Sequence, residues 1–334
     1  MNITEIARRA NVSTATVSRT LNQSGPVKAA TARKVWRVVT ELNYYPNSHA
    51  RALVSGRSRL IGLIVSDITN PFFPELIRAF QDLATQKQYD VLLTSTNYLT
   101  SRMTECLRRM LERKVDGVAM MTSEMDLGLI KELAQRNVPI VFMDVGQMGP
   151  RMSHVAIDYG NGIRQAVDHV AGLGHKSIAF ISGPLDLHSA RTRRQAFLDG
   201  LRHHGLTTDR KLIREGMHTA EGGQQAMSAL LRLGKHPTAV VCSNDWTAIG
   251  ALHAVHAAGL RVPDDISVVG FDDIPLAQYT NPALTTVRMT ASDVGATAFN
   301  ALFRLIGEEA AEGDVYQIPT RLVVRESTSR PKRK

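Results

Sequence analysis

The stretch that decides the fold opens the chain and reads Asn2-Ile-Thr-Glu-Ile-Ala-Arg-Arg-Ala-Asn-Val-Ser-Thr-Ala-Thr-Val-Ser-Arg-Thr-Leu-Asn22. Its first apolar residues recur at helical spacing, at Ile3, Ile6, Ala7 and Ala10. This spacing predicts an amphipathic helix that Thr4 caps at its start and that ends at Asn11, because asparagine tolerates the left-handed conformation. Ser13 is placed to cap a second helix directly afterwards.

The second helix has distinct inner and outer sides. Its inner side is predicted to comprise Val12, Val17 and Leu21 together with Ala15 or Thr16. Thr14, Ser18 and Arg19 then remain on the outside. Two short helices with a turn of three to four residues make a helix-turn-helix, whose second helix fits the major groove of DNA. A small helical subdomain without a DNA partner has the same spacing, so the spacing alone leaves both interpretations open.

The positive charge of the chain is concentrated around this stretch. Residues 1–59 contain ten Lys or Arg against two acids, a charge of +8 within a total of +9. The remaining residues carry 30 basic and 29 acidic side chains. The positive field therefore lies where a phosphate backbone would be bound, which favours the DNA-binding interpretation.

Length and composition indicate a folded protein with a small head and a larger body. The chain has 334 residues, 43% of them hydrophobic, and no apolar run approaches the roughly 20 residues of a membrane span. The polar amino terminus lacks the apolar core of a signal peptide, so we expect a cytoplasmic protein. Cys106 and Cys242 stand outside any metal-binding spacing and are expected to be buried; no metal and no cofactor are expected.

The pattern of residues divides the chain into three segments. A third helix, predicted from Lys28 to Leu42, completes a helix-turn-helix head over residues 1–46. Residues 47–59 follow, with a hinge helix or a linker from Ser48 to Ser55 that is too short to be a stable helix alone. From residue 60 apolar strands alternate with helices through two similar series. This alternation predicts an α/β body over residues 60–334, with doubly wound parallel sheets covered on both faces.

Polar residues follow the strands of the body where ligands of open α/β sheets bind, outside the carboxyl ends. They are Asp67 and Asn70 beside Phe72 and Phe73, Asp144, Ser243 to Asp245, and Asp272 with Asp273. Any one of them also fits a simpler role as the cap of the next helix. Four such strand ends pointing into one cleft favour a binding site.

The chain resembles the LacI/GalR family of bacterial transcription regulators along essentially its whole length. The motifs that carry the resemblance are Ile6-Ala-Arg-Arg-Ala-Asn-Val-Ser-Thr-Ala-Thr-Val-Ser-Arg19, Leu42-Asn-Tyr-Tyr-Pro-Asn47, Ala50-Arg-Ala-Leu53, Ser243-Asn-Asp245 and Gly270-Phe-Asp-Asp273. The resemblance implies a body of the periplasmic-binding-protein type I fold, which dimerises and binds an effector between two lobes. It places the N-lobe at about 60–157 with 290–315 and the C-lobe at about 158–288 with 316–330.

For the head, the resemblance implies a homodimer whose two heads bind the half-sites of a near-palindromic operator in double-stranded DNA. Thr14, Ala15 and Arg19 match positions that contact base edges, where arginine pairs with guanine and alanine contacts a thymine methyl. Leu53 matches a hinge leucine that inserts into the minor groove. The other matched DNA-binding positions are Thr4, Asn22 and Ala50, together with Ser13, Thr16 and Ser18, which are expected to contact phosphates.

For the body, the resemblance implies effector contacts from both lobes. Phe72 and Phe73 match aromatic positions that stack on a sugar or a base. Arg193 matches the effector-binding arginine and Asp272 the effector-binding aspartate, and together they suit a ligand with adjacent hydroxyls. Further candidates are Asp144, Ser189 and Asn244, and Arg191 and Arg194 are the alternatives to Arg193.

The predicted function is a ligand-responsive, sequence-specific DNA-binding regulator, most simply a repressor of carbohydrate-utilisation genes whose effector is a sugar. A purine effector is the alternative, because two phenylalanines stack on a base as well as on a pyranose. A solute-binding protein of the same body fold is disfavoured by the head and by the absence of a signal peptide. A sugar hydrolase would use Asp144 and Asp272, but the sequence shows no evident nucleophile, metal set or phosphate loop, so we predict no enzyme.

Overall fold

A computed structural model describes residues 2–22, 25–44, 57–122, 128, 132, 135–144, 149–207, 209–308 and 312–332. The chain divides into two compact units, Met1–Arg59 and Leu60–Lys334. The hinge positions Ala50 and Leu53 lie outside the described residues, so the roles expected of them remain predictions. No helix among the described residues is both long and apolar enough to cross a membrane.

The head is built from three helices, α1 (Ile3–Ala10), α2 (Thr14–Asn22) and α3 (Ala29–Glu41). Their apolar faces meet in one core, in which Ile6, Val17 and Val35 are fully buried. Asn11 has a φ of 54°, so the predicted left-handed end of α1 is confirmed. The helix-turn-helix therefore has the helices and the turn that its spacing predicted.

One of the two predicted helix caps is wrong. Because α1 begins at Ile3, the residue that caps it is Asn2, whose Oδ1 accepts a hydrogen bond from the backbone N–H of Glu5 at 3.1 Å. Thr4 lies inside the first turn, where its hydroxyl has no cap position to fill. The cap of α2 is confirmed, since Ser13 Oγ accepts a hydrogen bond from the backbone N–H of Thr16 at 3.1 Å.

The body consists of two lobes, each built on a six-stranded sheet. The N-lobe strands are β1 (Leu60–Val65), β2 (Asp90–Ser95), β3 (Val118–Met121), β4 (Ile140–Met143), β5 (Met152–Ile157) and β11 (Val315–Ile318). The C-lobe strands are β6 (Ile178–Ser182), β7 (Ile213–Glu215), β8 (Ala239–Cys242), β9 (Ser267–Asp272), β10 (Thr285–Arg288) and β12 (Arg321–Val323). The main described helices are α4 (Phe73–Gln86), α5 (Thr100–Glu112), α6 (Tyr159–Gly172), α7 (His188–His203), α8 (Ala220–Leu231), α9 (Asp245–Ala257) and α10 (Ala291–Gly307).

Both sheets have the same strand order, which confirms the two similar lobes. The order is β2-β1-β3-β4-β5-β11 in the N-lobe and β7-β6-β8-β9-β10-β12 in the C-lobe. The strands pair in parallel except for β10 and β12. In such sheets the order reverses beside the first strand, so ligands bind at the carboxyl ends of β1 and β6. Because β11 pairs with β5, the last crossing between the lobes follows Ile318, a few residues beyond the expected 315.

The central strands are apolar because helices cover them on both faces. Along β1, Leu63 belongs to an apolar cluster with residues of α4 and α10, and Ile64 belongs to a cluster with residues of α5. Helices α4 and α10 pack so closely at Gly295 that a Cβ there would overlap the carbonyl oxygen of Leu76. This packing fixes the amino-terminal end of α4, which bears Phe72 and Phe73.

Candidate functional site

A small cavity lies between the lobes, at the carboxyl ends of their central strands. It is lined by Ser66, Asn70, Phe72, Phe73, Tyr98, Met143, Tyr159, Leu187, Ser189, Arg193, His218, Asn244, Asp272 and Met289. The space inside it that is open to water-sized molecules is ≈ 50 Å³. Apolar side chains surround a few converging polar groups, which is typical of sites that bind small polar molecules.

Arg193 is the buried cation of this cavity. It lies on α7 and is 5% exposed, with its guanidinium carbon 4.2 Å from the ring centroid of Tyr159 and 4.6 Å from that of Phe271. These two aromatic faces stabilise a cation that burial would otherwise destabilise. The nearest carboxylate oxygen, Oδ1 of Asp272, is 3.8 Å from one terminal nitrogen, and Nε has no hydrogen-bond partner among the described residues. The guanidinium therefore keeps donors available for a ligand.

Asp272 is the buried carboxylate of the cavity. It ends β9 with a φ of 113°, a conformation that residues with a side chain rarely adopt, and Asp273 follows with a φ of 59°. Burial raises the pKa of Asp272 to about 7, although the charge of Arg193 acts in the opposite direction. A strained backbone and a pKa near neutrality are both features that cluster at functional sites.

Asp245 lies next to the cavity and helps to fix the position of Asp272. Its Oδ1 accepts a hydrogen bond from Thr286 Oγ1 at 2.5 Å, and its Oδ2 accepts one from the backbone N–H of Ile274 at 2.9 Å. Burial raises the pKa of Asp245 well above its ordinary range, and the charge of Asp272 acts in the same direction. These bonds link α9, β10 and the turn after β9, so they hold the strained Asp272 in place.

The N-lobe contributes an aromatic wall at the start of α4. The rings of Phe72 and Phe73 are 5.3 Å apart and nearly perpendicular, and both side chains are buried. Asn70 fixes the turn before them, because its Oδ1 accepts a hydrogen bond from the backbone N–H of Phe72 at 3.1 Å. Its Nδ2 donates to the hydroxyl of Tyr98 at 3.1 Å. The wall therefore offers apolar faces together with one amide and one phenol.

Tyr98 and His218 contact each other from opposite lobes. Their rings stack with centroids 5.9 Å apart and an angle of 29° between the planes. Both residues have a left-handed backbone, with φ of 58° and 57°. Burial lowers the pKa of His218 to about 3, and the charge of Arg193 contributes, so the imidazole is neutral. Asn244 Nδ2 donates to the His218 carbonyl oxygen at 3.4 Å. A stacked pair of rings, one from each lobe, thus lines the cavity.

Most effector positions expected from the sequence meet in this cavity. Those that line it are Phe72, Phe73, Ser189, Arg193, Asn244 and Asp272. Asp144 does not line it; its carboxylate instead accepts a hydrogen bond from the Tyr159 hydroxyl at 2.5 Å. Arg191 is exposed and donates to two carbonyl oxygens of the preceding loop, and Arg194 is half-buried outside the cavity. Of the three arginines, Arg193 is the one that lines the cavity; its role in effector binding remains a prediction.

The sequence did not single out several cavity residues as ligand contacts. They are Ser66, Tyr98, Met143, Tyr159, Leu187 and His218. Tyr98 and His218 follow β2 and β7, which occupy the same place in the two sheets. The similarity of the two lobes was therefore a signal for this pair, since equivalent loops of two facing lobes meet at the cleft.

The outer side of α2 is accessible, as a DNA-contacting surface must be. Among the predicted DNA-binding positions, the exposed ones are Thr4, Ser13, Thr14, Ala15 and Arg19, and the half-buried ones are Thr16, Ser18 and Asn22. Thr16 rather than Ala15 therefore belongs to the inner side, beside Thr20, whose buried hydroxyl donates to the Thr16 carbonyl oxygen at 2.8 Å. The DNA contacts themselves remain predictions.

Part of the positive charge of the head is already paired. Glu5 bonds to Arg8 and Arg9 on the same helix, and these hydrogen bonds lower the pKa of Glu5 to about 2. Exposed cations outside this cluster are Arg19, Lys28, Arg33, Lys34 and Arg37. They are available to phosphates. Among the described residues, no group of three or more His, Cys, Asp or Glu side chains is arranged to hold a metal ion.

Comparison with known proteins identifies the family. Residues 2–47 match the model of bacterial regulatory proteins of the lacI family, and residues 167–328 match a periplasmic binding protein-like domain. The ribose operon repressor of Halalkalibacterium halodurans is 37% identical over 98% of this chain and 96% of its own length. The HTH-type transcriptional repressor PurR of Photobacterium profundum is 33% identical over 97% of this chain and 98% of its own length. The structure of the Lac repressor dimer bound to operator and the anti-inducer ONPF matches with a TM-score of 0.88 at 32% identity, covering 98% of this chain and 99% of that one. The chain therefore belongs to the LacI family of bacterial regulatory proteins and is a transcriptional regulator with an effector-binding body, not an enzyme.

Proposed function

We propose that the chain is a repressor whose affinity for its operator is controlled by a sugar bound in the cavity. The observation that carries the effector class is the pair formed by Arg193 and Asp272, a buried cation with free donors beside a buried carboxylate. Adjacent hydroxyls satisfy both groups, because they accept from the guanidinium and donate to the carboxylate. The apolar face of a sugar ring packs on Phe72 and Phe73. The name of the ribose operon repressor supports this class, and that of PurR keeps a purine as the competing one.

The proposed DNA partner is a near-palindromic operator bound by a homodimer in the cytoplasm. The Lac repressor dimer, which is bound to operator, supports this assembly. In each head, Thr14, Ala15 and Arg19 contact base edges, while neighbouring hydroxyls and exposed cations contact phosphates. Leu53 inserts into the minor groove between the half-sites.

Effector control follows if the ligand binds one arrangement of the lobes more tightly than the other. A sugar in the cavity contacts Phe72 from the N-lobe and Arg193 from the C-lobe at once. It therefore stabilises the closed arrangement, in which Tyr98 and His218 are stacked. The difference in effector affinity between the two arrangements sets how much the effector can change the affinity for the operator.

Selection of bound sequences from a random duplex pool tests the DNA-binding function. We expect a near-palindromic consensus, and an affinity whose logarithm falls by about 0.9 per phosphate contact for each decade of salt. Arg19→Gln should change the preferred bases, whereas Arg33→Gln, on an exposed face of α3, should weaken binding to all sequences alike. No preferred sequence and no salt dependence would contradict the proposal.

A thermal-shift screen against monosaccharides and nucleobases tests the effector class, because a ligand that binds the folded state raises its stability. We expect at least one monosaccharide to raise the melting temperature, and Arg193→Gln to abolish the effect. Arg194→Gln, the next residue on α7, is the matched control and should respond like the wild type. Stabilisation by nucleobases alone would overturn the sugar and favour the purine.

A further inference from the structure

A second cavity lies directly behind the first. Phe72 and Asp272 line both cavities and separate them. The second cavity offers ≈ 420 Å³ to water-sized molecules, far more than the first. The N-lobe contributes the start of α4 and of α10 to its walls, and the C-lobe contributes the turn after β9 and residues of β10 and β12. It is therefore a separate space that both lobes border and that is open to solvent on one side.

An unusual pair of arginines lines this second cavity. Arg288 on β10 and Arg321 on β12 are direct partners across the antiparallel pair of strands, and both face the cavity. Like charges in this position destabilise a sheet unless an anion lies between them. The carboxylate of Asp273 does not neutralise both arginines of this pair. It accepts hydrogen bonds from Arg288 Nε at 2.5 Å and from Arg325 at 2.6 Å. The guanidinium of Arg321 makes no hydrogen bond or ion pair with any described residue.

The charges around the cavity leave room for an anion. Its three arginines, Arg288, Arg321 and Arg325, face Asp273 and Glu75, and its remaining carboxylate, Asp272, lies beside Arg193. One positive charge is left in excess. The excess lies on the side of the cavity where Arg321 is exposed to solvent, so an anion can enter there.

The N-lobe wall of the same cavity adds hydrogen-bond donors to the arginines of the C-lobe. Thr290 and Ala291 stand at the start of α10, a helix of 17 residues, and both line the cavity. The side chain of Thr290 makes no capping hydrogen bond, so its hydroxyl is not used by the helix. First-turn N–H groups have no partner within a helix, and the helix dipole favours an anion beside them. These donors complement the arginines, which come from the other lobe.

We propose that the second cavity binds a phosphate group, held by Arg288 and Arg321 of the C-lobe and by the start of α10 in the N-lobe. Planar guanidinium groups bind phosphate through two parallel hydrogen bonds, which suits a pair of arginines on neighbouring strands. The phosphate is either inorganic or the ester group of a small metabolite. This site is distinct from the cavity that contains Arg193, and it does not depend on the sugar proposed there.

Calorimetric titration of the full chain with inorganic phosphate, against chloride at matched ionic strength, tests the proposal. We expect saturable binding that Arg321→Gln weakens about tenfold, the loss of one charged hydrogen-bonding group. Arg321→Gln breaks no described hydrogen bond of its side chain, so the fold is retained. Arg330→Gln, an exposed arginine outside the cavity, is the matched control and should bind like the wild type. The basic head is the same in both variants, so phosphate bound there cancels in the comparison.

A second titration, with ribose and ribose 5-phosphate, distinguishes the two sources of the phosphate. If the ester binds more tightly than ribose, and Arg321→Gln removes the advantage, the phosphate belongs to a ligand that extends past Asp272. If only inorganic phosphate depends on Arg321, the cavity is a separate anion site. The proposal is overturned if neither phosphate nor the ester binds differently to the wild type and to Arg321→Gln. A missing response to ribose alone would count against the proposed sugar and leave this site standing.

Discussion

Replacement of Asp272 by asparagine should stabilise the body and abolish effector binding at the same time. An amide has almost the shape of the protonated carboxyl and carries no charge, so it avoids the burial of a carboxylate. The ordinary pKa of this group is 3.8, and in the folded protein it is about 7. The gap corresponds to an upper limit of about 4 kcal/mol in the free energy of unfolding at pH 8.

The sign of the effect follows from proton linkage. The folded state holds the proton of Asp272 more tightly than the unfolded state does, because burial disfavours the charge. The contribution of this carboxyl to stability is therefore fully present below pH 3.8 and is lost as the pH rises through 7. Asparagine does not titrate. The variant should exceed the wild type at both pH values, by at most about 2 kcal/mol at pH 5 and at most about 4 kcal/mol at pH 8.

Urea unfolding at pH 5 and pH 8 measures both values, and Asp82→Asn is the matched control. Asp82 is exposed on α4, so the same change of charge there should alter the free energy of unfolding by less than about 0.5 kcal/mol at either pH. A variant at Asp272 that is less stable than the wild type at pH 8, or that gains equally at both pH values, would refute the reasoning. Stabilisation without loss of effector binding would show that the carboxylate is not a ligand contact.

Three further predictions concern the cavity wall and the hinge. Tyr98→Ala removes the ring stack on His218, which contributes about 0.5–1.5 kcal/mol, so the affinity for the effector measured by calorimetry should fall about two- to tenfold. Leu99→Ala, on the exposed neighbour, should leave this affinity unchanged. Gly183→Ala places a methyl group against the ring of His218 and should weaken effector binding in the same titration, while operator affinity without effector stays at the wild-type value. Leu53→Ala should weaken operator binding in a gel-shift assay and leave effector affinity nearly unchanged; equal losses in both would argue against its role in the hinge.

The sequence predicted the elements whose pattern is strong and missed those whose pattern is weak. Central strands such as Ile178–Ser182 are recognisable in the sequence because a parallel strand covered on both faces is continuously apolar. The strands Ile213–Glu215 and Arg321–Val323 have no such pattern, because each has three residues, lies at a sheet edge and is partly exposed. Helix α7 begins at His188, a start that the sequence does not mark, because its first turn has no acidic residue and no capping side chain.

The candidate site was predictable to the extent that strand ends define it. Arg193 and Asp272 were predicted from the family resemblance, and the topology places strand ends at one cleft. The contact between Tyr98 and His218 depends on two loops whose residues have left-handed backbone conformations. The pattern of apolar residues in a sequence does not predict such conformations. Asp144 does not line the cavity for a similar reason. Its hydrogen-bond partner Tyr159, fifteen residues further along the chain, lines the cavity wall instead.

A capping role and a binding role are not exclusive in this cleft. Asn244 caps α9, because its Oδ1 accepts a hydrogen bond from the backbone N–H of Thr247 at 2.9 Å, and it also lines the cavity. The cap fixes the amide, so its Nδ2 donates to the carbonyl of His218 and holds that residue against the cavity. The backbone N–H of Met289 likewise donates to the Asp272 carbonyl at 3.2 Å, while its thioether side chain faces the ligand space. This main-chain bond holds Asp272 whatever side chain stands at residue 289. If the effector is the sugar proposed above, a substitution at residue 289 should change which hydroxyl pattern is bound without disturbing Asp272.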